Sequence, residues 1–546
     1  MRKVFVFCFY VVAALNLSAQ QTSDKGLDAI SVETVEAPLK FLASDYTEGR
    51  EVGTKGAYMA ADYIASVFQM YGIKPLGDMA QKRLSRELKL QGETAETYRS
   101  YFQNFDLICE TRNKKSELLL TTNTGLSSQV KKLVEGVDFQ LQGRFGSVEL
   151  DAPLVFLGYG IKNDELKSDP FRQMDVKGKI AVILSGFPDA ENPNAEVAQV
   201  LKKDAGFSSR KLEHEKIENA RNAGAVAVLK YTPGQKFLAA TPSNLPHFVD
   251  NEFYEGDSTQ DDFYLKKISL PNWENAHSIP VIQINKTLAE ELLSASGNLL
   301  EIMQAPDYKL SGFKAKDLDE FRMKFKIEND QKVIRGRNVL GYIEGENTDE
   351  VIVIGGHYDH VGKYNGFIFN GADDNASGTV GMLTLARAFK MSGKKPAKTI
   401  VFAAWTAEEQ GLWGSKYFVK NIPDNMNVVL NINLDMIGRT SIQHDSESYL
   451  RFQYTESHPE FETIFENINS SYKLNLDIQY KPDEQPKGGS DFVPFAAEGI
   501  PVISLFTGLH RDYHFPNDEI ESINLEKMTN IIRLAYLGLN DILEKQ

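Results

Sequence analysis

Two histidines and several carboxylates stand in short motifs through the C-terminal half of the chain. His357 lies in Gly-Gly-His-Tyr-Asp-His (355–360), Asp373 in Gly-Ala-Asp-Asp-Asn (371–375), and Glu408 and Glu409 in Thr-Ala-Glu-Glu-Gln (406–410). Asp435 follows in Asn-Leu-Asp-Met (433–436), and His514 in Tyr-His-Phe-Pro-Asn-Asp (513–518). Zinc accepts imidazole nitrogen and carboxylate oxygen, and a catalytic site keeps a position for water. Two metals about 3.5–4 Å apart can share one bridging carboxylate and take two terminal ligands each. On that count Asp373 bridges, His357 and Asp435 complete one metal, and Glu409 and His514 complete the other. Glu408 is left over as general base on a water made acidic by the pair. Asp359, two residues after His357, and Asp518, four after His514, are spaced to accept an imidazole N–H and fix each ring. This is the ligand inventory of a two-metal hydrolase.

Taken singly, each motif has a structural explanation. A Glu-Glu pair after a strand often opens a solvated helix, and Asp-Asp-Asn before a helix often caps it. His214, His247, His277, His444 and His458 read as structural or exposed; His360 and His510 read as near the site without ligating. The joint occurrence of the motifs, mostly at the ends of apolar runs, favours chemistry.

The elements that must position these residues are legible from about residue 335 onward. Val351–Gly355, Thr399–Trp405, Val428–Asp435 and Pro501–Phe506 are apolar and β-branched, as buried parallel strands are. Thr379–Lys390 and Gly411–Val419 carry helical periodicity between them. The alternation predicts an α/β domain, a three-layer αβα sandwich with a mostly parallel central sheet. Ligand sites in such sheets lie beyond the carboxyl ends of the strands, where His357, Glu408, Glu409 and Asp435 fall. Residues 27–78 read as largely helical, with Gly72 and Pro75 ending the helix that starts near Ala57. Residues 79–100 read as a surface helix or loop. Short β-rich runs appear at Leu118–Leu120, Pro153–Gly160, Gly178–Leu184, Ala225–Leu229 and 278–282, with a helix at Lys216–Gly224 and a long loop over 232–276.

A chain of 546 residues is too long for one core. The formal charge of −15 argues against nucleic acid as a partner, because phosphate binding needs a basic face. Arg2 and Lys3 precede an apolar run, Val4 to Leu15, that is too short to span a bilayer and ends near Leu17-Ser18-Ala19. That pattern predicts a cleaved signal segment over 1–19, export to the periplasm or outside the cell, and no integral membrane segment afterwards. Cys8 lies in the segment, so Cys109 is left without an internal disulfide partner.

With these motifs in place, the chain resembles the co-catalytic di-zinc aminopeptidases, the M28-type metallopeptidases. The likeness runs through Gly355–Gly362, Asn370–Gly378, Ala404–Gly414, Asn433–Gly438, Gly489–Pro494 and Gly508–Asp518. It extends to Leu42–Asp45, Glu48-Gly49-Arg50 and Gly53–Gly56. Asp175–Ile180 and Lys216–Ala225 are similar to a protease-associated (PA) domain inserted into the peptidase. The resemblance implies an N-terminal peptidase part over 20–129, a β-rich PA domain over 130–305 and a di-zinc peptidase domain over 306–546. It also implies two Zn²⁺ per chain on His357, Asp373, Glu409, Asp435 and His514, a cis peptide between Asp373 and Asp374, and Ser490-Asp491 near the substrate. Phe492 stands where many members have histidine. The implied activity is hydrolysis of peptides with a free N-terminus, Glu408 acting as base and Asp359 supporting His357. Carboxypeptidase or dipeptidase action, glutaminyl cyclisation and a non-catalytic receptor-like role are the alternatives on this scaffold.

Overall fold

The computed structural model describes residues 24–545 apart from 83–93, 113–116, 126, 143–145, 204–206, 235–265, 272–278, 295–298, 306–307 and 365. The expected signal segment, His247, His277 and most of the expected 232–276 loop lie outside the described residues.

The sheet that carries the motifs is built from β1 (Phe102–Arg112), β2 (Lys266–Ser269), β3 (Asn329–Ile343), β4 (Asn347–His357), β5 (Lys398–Trp405), β6 (Asn427–Leu434), β7 (Tyr449–Thr455), β8 (Asp477–Asp483) and β9 (Val502–Phe506). Their order is β2-β1-β3-β5-β4-β6-β9-β7-β8, with Lys74–Pro75 added beside β3. Only β5, β4, β6 and β9 form a continuous parallel core. The β1, β2 and β3 side is antiparallel, and β7 runs against β9, so the sheet is mixed. The parallel core is where both faces are buried: Ile352, Ile354 and Ile432 enter one apolar cluster, while Val351, Val353 and Val428 enter the other.

Helices cover both faces. On one side lie α1 (Val32–Leu42), α2 (Lys55–Tyr71), α3 (Gly378–Met391) and α6 (Leu525–Lys545); on the other lie α4 (Trp413–Lys420) and α5 (Phe492–Ala497). Thr54 caps α2 by accepting from the Ala57 N–H, and left-handed Gly72 ends it, with the Ile73 N–H returning to the Phe68 carbonyl at 3.0 Å. Among the described residues no helix is long and apolar enough to cross a membrane. Residues at the ends of 79–100 form a short antiparallel strand pair, Met79–Gln81 against Thr97–Arg99, where a helix or loop was expected.

A second, eight-stranded sheet takes its strands from Glu117–Asn123 through Lys316–Ile327, wider than the expected 130–305 block. One residue, Glu328, separates Lys316–Ile327 from β3. Strand β2, from inside the expected loop, returns to the first sheet and pairs with β1. Cys109 on β1 is buried with a free thiol.

The glycines of the motifs are dictated by close approach at the strand ends. A Cβ on Gly355 would meet Trp405 Nε1 at 2.4 Å, and one on Gly378 would meet the Leu434 carbonyl at 2.1 Å and Asn375 Oδ1 at 2.4 Å. Gly378→Ala is therefore expected to cost about 2 kcal/mol or more, while Gly312→Ala, with no neighbour within 4 Å, stays within about 0.5 kcal/mol of the parent. Urea denaturation of the two variants checks this.

Candidate active site

Three of the four parallel strands lead directly into the site. β4 ends on His357, β6 runs into Asp435, and β5 runs through Thr406 and Ala407 to Glu408 and Glu409. Ala407, Met436 and His514 all have positive φ (59°, 53° and 59°), which non-glycine residues rarely adopt. Such strained backbone clusters at functional sites, and here it lies at or beside Glu408, Asp435 and His514.

Two groups of donor atoms result. His357, Glu408 and Asp435 form one; His360, Asp374, Glu409 and His514 form the other. In the first, His357 Nε2 lies 3.6 Å from Asp435 Oδ1 and 3.8 Å from Glu408 Oε2. In the second, His514 Nε2 lies 3.0 Å from both Asp374 Oδ2 and Glu409 Oε2. Asp374 joins the groups, because its Oδ1 is 3.4 Å from His357 Nε2 while its Oδ2 faces His514.

The bridging place expected for Asp373 thus belongs to Asp374, and the cis peptide is Asp374–Asn375 rather than Asp373–Asp374. Asp373 is directed elsewhere: its Oδ1 accepts from the Gly438 N–H at 2.7 Å and its Oδ2 lies 3.5 Å from His510. Asp518 does not hold the His514 ring. It accepts from the backbone N–H groups of Asp373 and Asp374 at 3.0–3.1 Å, so it fixes the loop that presents Asp374. Asp359 is close to its expected place, but its backbone carbonyl meets His357 Nδ1 at 3.1 Å while its carboxylate, 3.8 Å from that nitrogen, accepts from the Glu408 N–H. His360, expected near the site without ligating, points Nδ1 at Glu409 Oε1 from 2.8 Å and stands in the second donor group. The signal for it was the His-Tyr-Asp-His spacing, which returns the chain to the site three residues after His357.

The buried charges polarise one another. Burial raises the Glu408 carboxyl well above its usual range; His357 opposes this, and Asp491, Glu409 and Asp435 add to it. Burial also acts against a charged Glu409, but His514 and His360 outweigh it and hold that carboxyl well below the ordinary value. Burial disfavours a charged His357, yet Glu408, Asp435 and Asp374 together raise its pKa well above normal. Asp374 Oδ2 and Asp435 Oδ1 are buried without a hydrogen-bond partner, and a buried acceptor of that kind calls for a cation. Imidazole nitrogen and carboxylate oxygen, four donors in one group and three in the other with Asp374 between them, fit a pair of divalent metals.

Arg50, in a motif to which sequence reading assigned no role, holds two of the site loops together. Glu48, Gly49 and Arg50 all have positive φ (46°, 69° and 54°), which turns the Arg50 side chain inward. It is fully buried, and its guanidinium donates to the carbonyls of Tyr358, Leu42, Asn370 and Gly371. Burial lowers its pKa to about 10, against the opposing pull of Asp374, Asp359, Asp518 and Glu409, so it stays a cation at neutral pH. Phe492, in place of the family's histidine, is buried in the apolar cluster around Trp405 and Phe495. Asn433 donates to Ser490 Oγ at 2.7 Å and Ser415 donates to Asp491, which places that segment against the sheet beside the site. Tyr513 stacks on His514 with ring centroids 3.9 Å apart.

This geometry agrees with comparison to known proteins. Residues 338–537 match the model of peptidase family M28, and residues 150–292 match that of the PA domain. Residues 338–537 are thus identified as an M28 peptidase domain. That domain contains every residue of both donor groups. Aminopeptidase YwaD of Bacillus subtilis is 26% identical over 426 residues, covering 75% of this chain and 72% of the relative. A glutamate carboxypeptidase 2 homolog of Caenorhabditis elegans is 28% identical over 408 residues, covering 66% of this chain and 49% of the relative. The chain thus spans about half the length of that first relative. Among solved structures, an aminopeptidase from Aneurinibacillus sp. strain AM-1 superposes with a TM-score of 0.56 at 20% identity, covering 95% of this chain and 94% of that one. A zinc aminopeptidase of Bacillus subtilis gives 0.51 at 21% identity, covering 95% and 97%. These superpositions establish a shared fold.

Replacing Arg50 leaves buried carbonyls without donors. Arg50→Gln is expected to destabilise the M28 domain by about 3 kcal/mol, and Arg50→Lys to recover less than half of that because it lacks the planar fork. Urea midpoints measure both; a parent-like Arg50→Gln midpoint would show that the carbonyl contacts do not secure the loops.

Proposed function

We propose that the chain is an exported aminopeptidase that removes N-terminal residues from peptides using two zinc ions per chain. The observation that carries this reading is Asp374, with one oxygen toward His357 and the other toward His514, which Glu409 also meets. His357 and Asp435 would hold one ion, Glu409 and His514 the other, and Asp374 would serve both. His360 would either supplement the second group or orient Glu409 from 2.8 Å. Bound there, the ions would polarise the scissile carbonyl and bring a water's pKa toward neutrality.

The chain's own groups account for the remaining steps. Glu408, buried and with its carboxyl raised, takes the proton of the attacking water and delivers it to the leaving amine. Asp359 keeps His357 and Glu408 in register through its carbonyl and carboxylate. The Glu408 and Asp435 carboxylates on the His357 side attract a substrate ammonium, which favours a free amino terminus. The relatives named as aminopeptidases support that direction of attack. Export is part of the proposal and rests on the Arg2-Lys3 and Val4–Leu15 pattern.

Metal analysis and hydrolysis of aminoacyl-anilides, before and after chelation, test the reading together. Two zincs per chain and chelator-sensitive release are expected; one zinc without release would favour cyclisation, and cleavage of amino-blocked peptides would favour a carboxypeptidase. Glu408→Gln should lower kcat by at least about a hundredfold with both metals retained. Asp374→Asn should lose metal, whereas Asp373→Asn should keep it. The reverse pattern would return the bridging role to Asp373.

A further inference from the structure

Asp435, Phe506 and Arg451 stand in a row across three neighbouring strands. Leu434 on β6 is opposite Leu505 on β9, and the Asp435 N–H donates to the Leu505 carbonyl at 3.2 Å. Phe506 is in turn opposite Arg451 on β7. Leu434, Leu505, Leu450 and Phe452 point into the large apolar cluster, so alternation sets the row on the opposite face. Strands lie about 4.8 Å apart, which puts the Arg451 backbone about 10 Å from that of Asp435.

The Arg451 guanidinium lies over the Phe506 ring, 4.5 Å from its centroid. Its Nε is buried and has no hydrogen-bond partner, and no carboxylate among the described residues forms an ion pair with it. Two other arginines of the region are engaged: Arg50 binds four carbonyls, and Arg439 pairs with Asp512 at 2.7 Å. Burial lowers the pKa of Arg451, while Tyr449 and Asp435 act to raise it. Beyond it on the same face, Gln453 donates to the Lys487 carbonyl, and a Cβ on Gly489 would meet nothing within 4 Å.

We propose that Phe506 and Arg451 form the pocket for the side chain of the substrate's first residue, and that this residue is acidic, glutamate or aspartate. The inference rests on the aminopeptidase reading. With its ammonium drawn to Glu408 and Asp435, the first residue extends its side chain along the row. The methylenes pack on Phe506, and the carboxylate receives the paired N–H donors of Arg451, a charge-assisted contact that neutral side chains cannot make. A solitary guanidinium also offsets the repulsion that this acidic site exerts on an acidic substrate.

The test compares Glu-, Gln- and Leu-anilides on the zinc-loaded full chain and on Arg451→Gln and Arg451→Lys, with thermal melting of each. The parent is expected to favour Glu over Gln in kcat/KM by about tenfold or more. Arg451→Gln should reduce that ratio at least about tenfold, and Arg451→Lys, which keeps the charge, should reduce it less. Cleavage of Gln- and Leu-anilides with a ratio unmoved in both variants overturns the acidic pocket and leaves the aminopeptidase standing. If Arg451→Gln instead changes the discrimination between Leu-Gly and its amide, the guanidinium reads a C-terminal carboxylate and the pocket assignment is wrong. Release from no anilide overturns both readings.

Discussion

The packing of acid groups out of water at one end of the sheet constrains everything around it. Asp359, Asp373, Asp374, Glu408, Asp491 and Asp518 are all buried there. A buried carboxylate is costly unless it is paired or hydrogen-bonded. The chain meets this cost with backbone N–H groups, with His357, His360, His510 and His514, and with the cations Arg50 and Arg439. Asp374 Oδ2 and Asp435 Oδ1 are approached by imidazole nitrogens at 3.0 and 3.6 Å but accept no hydrogen bond. The site is in that sense an incomplete electrostatic structure, and its incompleteness is what makes it fit for divalent cations.

The same constraint explains the support around the ligands. Asn375 accepts from the Gly378 and Met436 N–H groups and donates to the Leu434 carbonyl, so one side chain ties the Asp374 loop, the start of α3 and the end of β6. Asp518 holds the same loop from the other side, and burial together with Asp373 raises its carboxyl to about 8. Positioning of this kind by a surrounding shell of hydrogen bonds is what keeps metal ligands in register.

What was legible in the sequence follows from how each element is buried. Val351–Gly355 and Thr399–Trp405 were readable as strands because burial on both faces requires an unbroken apolar run. β1 and β3 were not, because much of β3 is exposed and its polar residues give no such run; the mixed character of the sheet followed from them. The donor types were readable from spacing, but the choice between Asp373 and Asp374 was not. Adjacent aspartates satisfy any ligand count equally, and only the Gly438 N–H and the Asp518 carboxylate decide which one turns inward. His360 escaped for a related reason, since its approach to Glu409 depends on the turn after β4 and not on periodicity. Arg50 lies about 300 residues from the loops it joins, a distance at which no local pattern speaks.

The way the two sheets share the chain bears on modularity. The strand Lys316–Ile327 of the second sheet passes into β3 through Glu328 alone, and β2, from within the span matched by the PA domain, completes the edge of the M28 sheet. The Trp413 indole N–H, at the start of α4, donates to the Ile268 carbonyl on that same strand at 2.7 Å. The insert is therefore grafted by shared seams and not hung from a linker. Cutting it out at its matched limits would strip an edge strand from the M28 sheet, so the two parts of this protein are engineerable only as one piece.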